Sequence, residues 1–476
     1  MQVTVGNQLR IENPSEQLLA WCKKQLILPN PEYAKKVRMH FWVGNTPEKL
    51  YLFQWDGDTL VLPYGCLNDV LAMDDCHMKV NLPTPIEVDF GCSIPLYDYQ
   101  VEAKEALITA YYGILQAPAG CGKTQIGIAV AADTGRRTLW LTHTRDLLVQ
   151  SKSRAEQYMS PSLTGTITEG RVQIGKAITF ATVQTMCNLD LSQYRDVWDC
   201  IIVDECHLVN PIEGMYKDFF DAVKCKVLGL TATPYRLSSS RDFGSMLKFI
   251  TRTKPHVFSE VIYHVQVSTL LDMGYLSKVN YYPMNPTGWN ELNFKINTTG
   301  ADYTDKSVQK EYERIDFYSY IVHIVQRLMN PKAGGKRKGI LVFTRFLKEA
   351  ERLTMSISGC VIVSGDTPKK ERERILEMFK VGEIPVVANV GVLTTGFDYP
   401  ELDTVVMARP TMSLAMYYQI VGRCIRPHKD KEAAWFVDLC GNINRFGEVS
   451  DLHLKDTGNG KWAVFSRGRQ LTNVRF

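Results

Sequence analysis

Ala117-Pro118-Ala119-Gly120-Cys121-Gly122-Lys123-Thr124 decides how the rest of the chain is read. An apolar run, Gly113-Ile114-Leu115, precedes it, and residues 125–132 follow with the composition of a helix. Strand, glycine-bearing loop, Lys-Thr and helix form the arrangement that cradles phosphate groups. Such a loop turns sharply and brings backbone N–H groups onto anionic oxygens, so side chains near the ligand must be small. Ala119, Gly120 and Gly122 meet that need, with the Cys121 backbone between them. Lys123 would reach the β- and γ-phosphates of ATP, and the Thr124 hydroxyl would ligate Mg²⁺. The helix that follows points its positive dipole end at the anion. One departure is visible: Ala117 stands where the usual pattern has its first glycine.

A chain of 476 residues suggests roughly three domains. Its net charge of +4 is only mildly basic, so a nucleic-acid surface must be local. Apolar runs long enough to span a membrane are not expected. The N-terminus, Met1-Gln2-Val3-Thr4-Val5-Gly6, lacks the charged and apolar regions of a secretion signal. The twelve cysteines are scattered singly and read as reduced small hydrophobes of a cytoplasmic protein. Cys66, Cys76 and Cys92, with His77, do not follow the spacing of common zinc sites.

Residues 1–92 read as a separate small α+β domain. Residues 14–28 predict a helix with Ser15 near its start and Leu18, Leu19, Cys22 and Leu26 on one face. Residues 37–42, 50–55 and 59–62 are short aromatic or β-branched runs expected as strands. Gly44-Asn45-Thr46-Pro47 separates the first two, and Asp56-Gly57-Asp58 marks a hairpin between the others. Lys23, Lys24, Lys35, Lys36 and Arg38 make this domain locally basic, which suits either a solvated face or a patch on duplex DNA. Residues 81–89, with Pro83 and Pro85, read as a linker.

Residues 93–254 alternate strands, at 137–141, 178–182, 200–204 and 227–231, with helices at 144–158 and 215–223. Such alternation indicates a mostly parallel sheet covered on both faces. In 255–450 the first part is less regular, and residues 287–304 are expected as an exposed excursion rich in Asn, Thr and Gly. Strands then follow at 339–344, 359–364, 384–389, 404–408 and 434–439, with helices at 347–357, 369–379 and 414–424 between them. This second unit has no phosphate loop and is expected to lend residues to the nucleotide held by the first. Residues 451–476 read as a C-terminal tail.

Asp204-Glu205-Cys206-His207 ends an apolar strand. An acidic pair there can divide the work of hydrolysis, Asp204 holding Mg²⁺ and Glu205 orienting and deprotonating the attacking water. Thr231-Ala232-Thr233-Pro234 ends the next strand and offers two hydroxyls between that site and a neighbouring domain. Far downstream, in Gln419-Ile420-Val421-Gly422-Arg423-Cys424-Ile425-Arg426-Pro427, the side chains of Gln419, Arg423 and Arg426 fall at helical spacing. Arginines supplied from another domain can neutralise a transferring phosphoryl group.

Taken in order, these motifs resemble those of superfamily 2 helicases over roughly residues 95–450. The set includes Gln100, Thr142-His143-Thr144-Arg145-Asp146-Leu147, Thr182-Val183-Gln184-Thr185, Val342-Phe343-Thr344-Arg345 and Val392-Leu393-Thr394-Thr395-Gly396-Phe397-Asp398. Thr233-Pro234-Tyr235-Arg236-Leu237, Ser364-Gly365-Asp366-Thr367-Pro368 and Asp438-Leu439-Cys440-Gly441-Asn442 look RadD-like. RadD-like chains carry C-terminal cysteines that are missing here. A domain ahead of the core is instead similar to the phage UvsW and XPB-related arrangement, where it engages DNA.

The resemblance implies an α/β fold of two tandem RecA-like parallel-sheet domains behind the small N-terminal α+β domain. It implies that Gln100 reads the adenine edge, with Tyr97 or Tyr99 stacking, and that His207, Thr231 and Thr233 couple hydrolysis to domain motion. Gly396 and Asp398 would sit near the ribose and the interdomain cleft. Thr142, Arg145, Thr182, Gln184, Thr344, Arg345 and Thr394 would line the nucleic-acid path, gripping phosphates without reading bases. The expected activity is an ATP- and Mg²⁺-dependent DNA helicase or translocase on forked or branched DNA, in a bacterial cytoplasm or a phage-infected cell. Candidate partners are single-strand-binding or recombination proteins. A duplex translocase, an RNA-dependent ATPase and a motor subunit of a restriction or defence assembly are the alternatives.

Overall fold

Strands that are apolar on both faces need cover on both sides, and ten of the elements described below are built that way. The computed structural model describes all residues except 74–76, 82–84, 111, 211, 241–243, 254–256, 259, 298–301, 332–336, 338, 394–398, 459–461 and 475–476. The first large sheet has eight strands. Its central run is Ile178–Thr182, Thr138–Thr142, Cys200–Asp204, Lys226–Thr231 and Tyr112–Gln116, all parallel. Val261–His264 extends it beyond the expected boundary at 254, pairing parallel to Tyr112–Gln116. The second sheet has six parallel strands, in the order Lys278–Pro283, Ala433–Asp438, Thr404–Ala408, Ile340–Thr344, Val386–Val390 and Cys360–Val363. Two tandem RecA-like sheets are thus present, as expected.

The N-terminal five-stranded sheet takes Gln2–Val5, Gln8–Glu12, Gln54–Asp56, Thr59–Pro63 and His77–Val80. Helix Glu16–Gln25 lies over it, capped by Ser15, whose hydroxyl accepts from Leu18 N. The Asp56-Gly57 hairpin forms, with Gly57 in the left-handed region at φ +58°. Residues 37–42 do not form a strand. Asn30 caps a helix over Pro31–Arg38, accepting from Glu32 N at 3.0 Å, and proline at the first helical position favours that start over the β-rich composition that follows. The expected linker is tied down: Val88 N donates to Gly135 O at 2.8 Å and Ile86 N to Asp199 Oδ2 at 3.1 Å. Tyr64 stacks on Tyr112 with ring centroids 4.0 Å apart, joining the N-terminal sheet to the first large sheet.

Three further segments differ from expectation. Helices Asp305–Arg314 and Phe317–Met329 fill the region read as irregular, each with an apolar face against the second sheet. In the excursion, Phe294 and Tyr303 are buried against those helices, and only part of it is solvent-facing. The expected C-terminal tail carries a three-stranded antiparallel sheet, His453–Asp456, Trp462–Ser466 and Arg469–Gln470. That sheet leaves the second RecA-like domain, where Val449 N donates to Tyr281 Oη, and docks on the first. Gln266 pairs twice with Leu454, and Asn473 bonds Leu247 O and Phe249 N of the hairpin Tyr235–Ser240/Gly244–Phe249.

Leu471 is 4% exposed in this docked sheet. Leu471→Ala is expected to destabilise the protein by about 2–5 kcal/mol, the usual cost of deleting a buried leucine. A thermal melting curve indistinguishable from wild type would show that the sheet is not part of the core.

Candidate active site

The loop leaves strand Tyr112–Gln116 with Ala117 N donating to Thr231 O, which ties it to the neighbouring strand. Gly120 and Gly122 adopt φ of +84° and +80°, where a side chain is strained. Ala117 is outside the left-handed region, so a methyl is tolerated there in place of the usual glycine. Gly122 is constrained twice, because a Cβ would lie 2.4 Å from Gln100 Nε2. Lys123 opens helix Lys123–Thr134, and its Nζ donates back to Ala117 O and Pro118 O at 3.2 and 3.1 Å.

Gln100 is 2% exposed and both ends of its amide are engaged. Its Nε2 donates to Cys121 O at 2.9 Å, its Oε1 accepts from Tyr97 N at 3.0 Å, and Tyr99 Oη donates to the same Cys121 oxygen at 2.8 Å. Here the glutamine buttresses the phosphate loop. Tyr97 is exposed and packs 4.5 Å, ring to ring, from Tyr275. Tyr275 was not anticipated; its only sequence signal is an aromatic side chain between the two alternating units.

Asp204 sits at its strand end, buried, with Oδ1 accepting from Glu205 N at 3.0 Å and Oδ2 3.5 Å from the Ser151 hydroxyl. Burial, reinforced by the Glu205 charge, raises the Asp204 carboxyl above its ordinary range. Burial also opposes ionisation of Glu205, but the His207 hydrogen bond and the positive charges of Lys123 and Arg423 outweigh it and pull that carboxyl down. Glu205 Oε2 lies 3.3 Å from His207 Nδ1, which lies 2.9 Å from Thr231 Oγ1 and 3.4 Å from Thr233 Oγ1. The acidic pair and the three coupling residues therefore form one connected cluster. Glu205 itself has φ +52°, a left-handed conformation rare outside glycine.

The second sheet delivers its arginines to this cluster. Helix Leu414–Val421 stops earlier than expected, and Arg423 and Arg426 lie in the turns beyond it. Arg423 is 8% exposed, and its Nε donates to Gln419 O at 3.3 Å. Arg426 Cγ packs so close to Gly120 that a Cβ there would sit 3.1 Å away, and a Cβ on Gly422 would be 2.9 Å from Ala119 Cβ. Ser277 fixes the turn, donating from N to Ile425 O at 2.8 Å and from Oγ to Arg426 O at 3.0 Å. Lys369 and Arg372 reach Asp146 across the same seam at 3.4 and 3.7 Å.

Expected nucleic-acid contacts divide in two. Arg145 and Gln184 are exposed at the ends of the first sheet. Thr142 and Thr344 are buried, with hydroxyls on the backbone oxygens of Thr144 and Asn389, and Thr182 caps helix Val183–Cys187. The Arg345 guanidinium is held by Asp305, Asp302 and the Tyr303 carbonyl, so it braces the excursion against the sheet. Thr394, Gly396 and Asp398 lie outside the described residues, as does Cys76, while Cys66 packs in the core of the N-terminal sheet.

Thr124 and Asp204 offer hard oxygen donors at the loop and the opposing strand end. Among the described residues no group of three or more His, Cys, Asp or Glu side chains gathers. Few protein oxygens beside a phosphate cradle suit Mg²⁺, which is ordinarily shared with substrate phosphates. Among the described residues no helix is long and apolar enough to cross a membrane.

Residues 93–236 match the family described as type III restriction enzyme, res subunit, and residues 321–428 match the helicase conserved C-terminal domain. A 51.5 kDa protein of Lactococcus phage (isolate 7-9) is 25% identical over 73% of this chain and 70% of its own. The DNA 3'-5' translocase XPB2 of Sulfurisphaera tokodaii is 26% identical over 74% of this chain and 82% of its own. Among solved structures, the ATP-dependent Type ISP restriction-modification enzyme LlaBIII bound to DNA superposes with a TM-score of 0.54 at 19% identity. The likeness covers 72% of this chain but 27% of that much longer one, and it shows a shared fold.

Gly122→Ala is expected to abolish ATP binding in a folded protein, since it both strains the backbone and displaces Gln100. Gln100→Ala, which leaves a cavity and a less restrained loop, should weaken ATP binding by about tenfold, roughly one buried hydrogen bond. Calorimetric titration with a non-hydrolysable ATP analogue distinguishes the two; equal affinities for wild type and both variants would refute the buttress.

Proposed function

We propose, for a chain that belongs to the superfamily 2 helicases and is related to the XPB/Rad25-type DNA helicases, that it is an ATP-driven DNA translocase remodelling forked or branched DNA. The observation that supports this most is the buried Arg423 guanidinium set across the domain seam from Glu205. An arginine that enters from the second domain makes turnover conditional on closure of the cleft, which is what a motor needs.

In this reading Lys123 and the loop N–H groups hold the phosphates, and Thr124 and Asp204 hold Mg²⁺, which would supply charge neutralisation on them. Glu205, kept ionised by His207, Lys123 and Arg423, orients the attacking water and accepts its proton at a carboxylate oxygen. Arg423 and Arg426 offset negative charge on the transferring phosphoryl group. As that charge leaves, the Glu205–His207–Thr231–Thr233 cluster registers the change at the end of strand Lys226–Thr231. The neighbouring loops that bear Arg145 and Gln184 offer an exposed, sequence-tolerant grip.

The N-terminal domain ahead of the core favours kinship with UvsW- and XPB-like remodelling enzymes. The match to a restriction-enzyme family over residues 93–236 favours a second reading, a motor that works inside a restriction or defence assembly. Replication, repair or recombination in a cytoplasm is the setting that suits the first reading.

Arg423→Ala should leave ATP affinity within about twofold while lowering DNA-stimulated hydrolysis by roughly 10³-fold, the lower end for an arginine finger. Glu205→Gln should bind ATP and not turn over. Hydrolysis measured with forked DNA, plain duplex, single strands and RNA should be greatest with the fork. Equal stimulation by RNA and forked DNA, or full stimulation of Arg423→Ala, would overturn the proposal.

A further inference from the structure

On the reading that this motor moves along nucleic acid, we propose that Phe41 and Trp42 form a stacking platform for unpaired bases, built into the N-terminal domain beside the motor's nucleic-acid face. Trp42 is 87% exposed and Phe41 59%. Rings of this size are ordinarily buried, and a contiguous exposed pair marks a binding surface.

The pair is presented by a loop that is fixed in place. Helix Pro31–Arg38 ends with His40 in the left-handed region at φ +54°, and Phe41 N donates to Lys36 O at 2.9 Å, the closing bond of a helix C-cap. Lys36 Nζ donates to Thr46 Oγ1 at 2.6 Å, and Asn30 Nδ2 donates to Pro47 O at 2.7 Å. Gly44, with φ +52°, lies under the indole: a Cβ at that position would come within 2.9 Å of the ring. Trp42 therefore rests one face on backbone and turns the other outward. A preorganised aromatic face is what a base can stack on without further ordering cost.

Position and charge select the occupant. The loop and Gly214, Lys217 and Asp218 line a depression of about 520 Å³ between the N-terminal domain and helix Met215–Ala222. That helix touches both segments expected to follow nucleic acid. Met215 O accepts from Cys187 Sγ, four residues after Val183 opens the Gln184 helix, and Tyr216 stacks 6.2 Å from His143, two residues before Arg145. Helix Met215–Ala222 thus lies between the loop that bears the rings and the segments that bear Arg145 and Gln184. Arg38 and Lys49 are exposed on the same unit and can meet the backbone of a strand, while the depression carries both signs of charge, Glu32, Glu213 and Asp218 with Lys36 and Lys217, and the rings beside it offer faces to bases. Stacking is sequence-tolerant, as a moving motor requires.

The test uses the full chain with fluorescent oligo-dT, a plain duplex and oligo-rU. Trp42→Ala with Phe41→Ala should weaken oligo-dT binding by roughly tenfold or more, the size of losing a stacked base. It should leave duplex affinity, melting temperature, unstimulated hydrolysis and the salt slope for oligo-dT unchanged. Trp42→Tyr, which keeps a stacking ring, should retain most of the oligo-dT affinity. Wild type that binds oligo-dT, with the double variant binding it equally, would overturn the platform and assign the rings to a protein-facing role. Wild type that binds neither oligonucleotide nor duplex would instead remove the motor reading on which the platform rests.

Discussion

The Cys121 carbonyl oxygen accepts from the Tyr99 hydroxyl and from the Gln100 amide, and everything at the nucleotide end of the molecule depends on where it is held. Those two donors come from helix Asp98–Thr109, which precedes the first strand of the motor sheet. Fixing the oxygen fixes the peptide plane between Cys121 and Gly122, and with it the start of the following helix. Gly122 has no room for a side chain because Gln100 already occupies that space. The loop is thus shaped from behind before any ligand reaches it, so little free energy is lost in ordering it on binding.

A comparable device holds the arginines. Lys431 is 8% exposed, and its ammonium donates to Cys424 O, Pro400 O and Leu402 O. A buried ammonium is costly without partners, and three acceptors offset that cost while pinning the turn that contains Arg423. Ser277 holds the same turn from the other side through Ile425 and Arg426. Each half of the active site is therefore braced within its own domain. The Asp146 contacts with Lys369 and Arg372 lie on the seam between those two halves.

Much of this was readable in advance because fully buried parallel strands leave uninterrupted apolar runs, and Cys200–Asp204, Ile178–Thr182 and Thr404–Ala408 fall where those runs predict. The phosphate loop, the acidic pair and the arginine turn were equally visible as local patterns. Roles set by distant neighbours were not. Arg345 sits in a motif expected to grip nucleic acid, yet Asp302 and Asp305, far from it in the chain, return to hold its guanidinium. Gln100 was identified as a site residue, but its partner was decided by how the first helix packs. The helix Pro31–Arg38 has little local signal, because a single cap at Asn30 outweighs the β-favouring residues after it. The C-terminal sheet has short strands with no strong alternation, and its burial comes from the hairpin and connector it meets.

That docked sheet has a mechanical consequence. The chain passes between the motor domains at residues 265–277 and again through the C-terminal sheet, and the two crossings touch, with Gln266 bonded to Leu454. A single tether lets two bodies twist, slide and swing; two tethers side by side act like the paired knuckles of a door hinge. Rotation about the line joining them stays soft, while torsion and shear strain both crossings at once. Motion that widens or narrows the cleft is then confined to one angular coordinate, and the reach of its far lips is set by leverage from that axis.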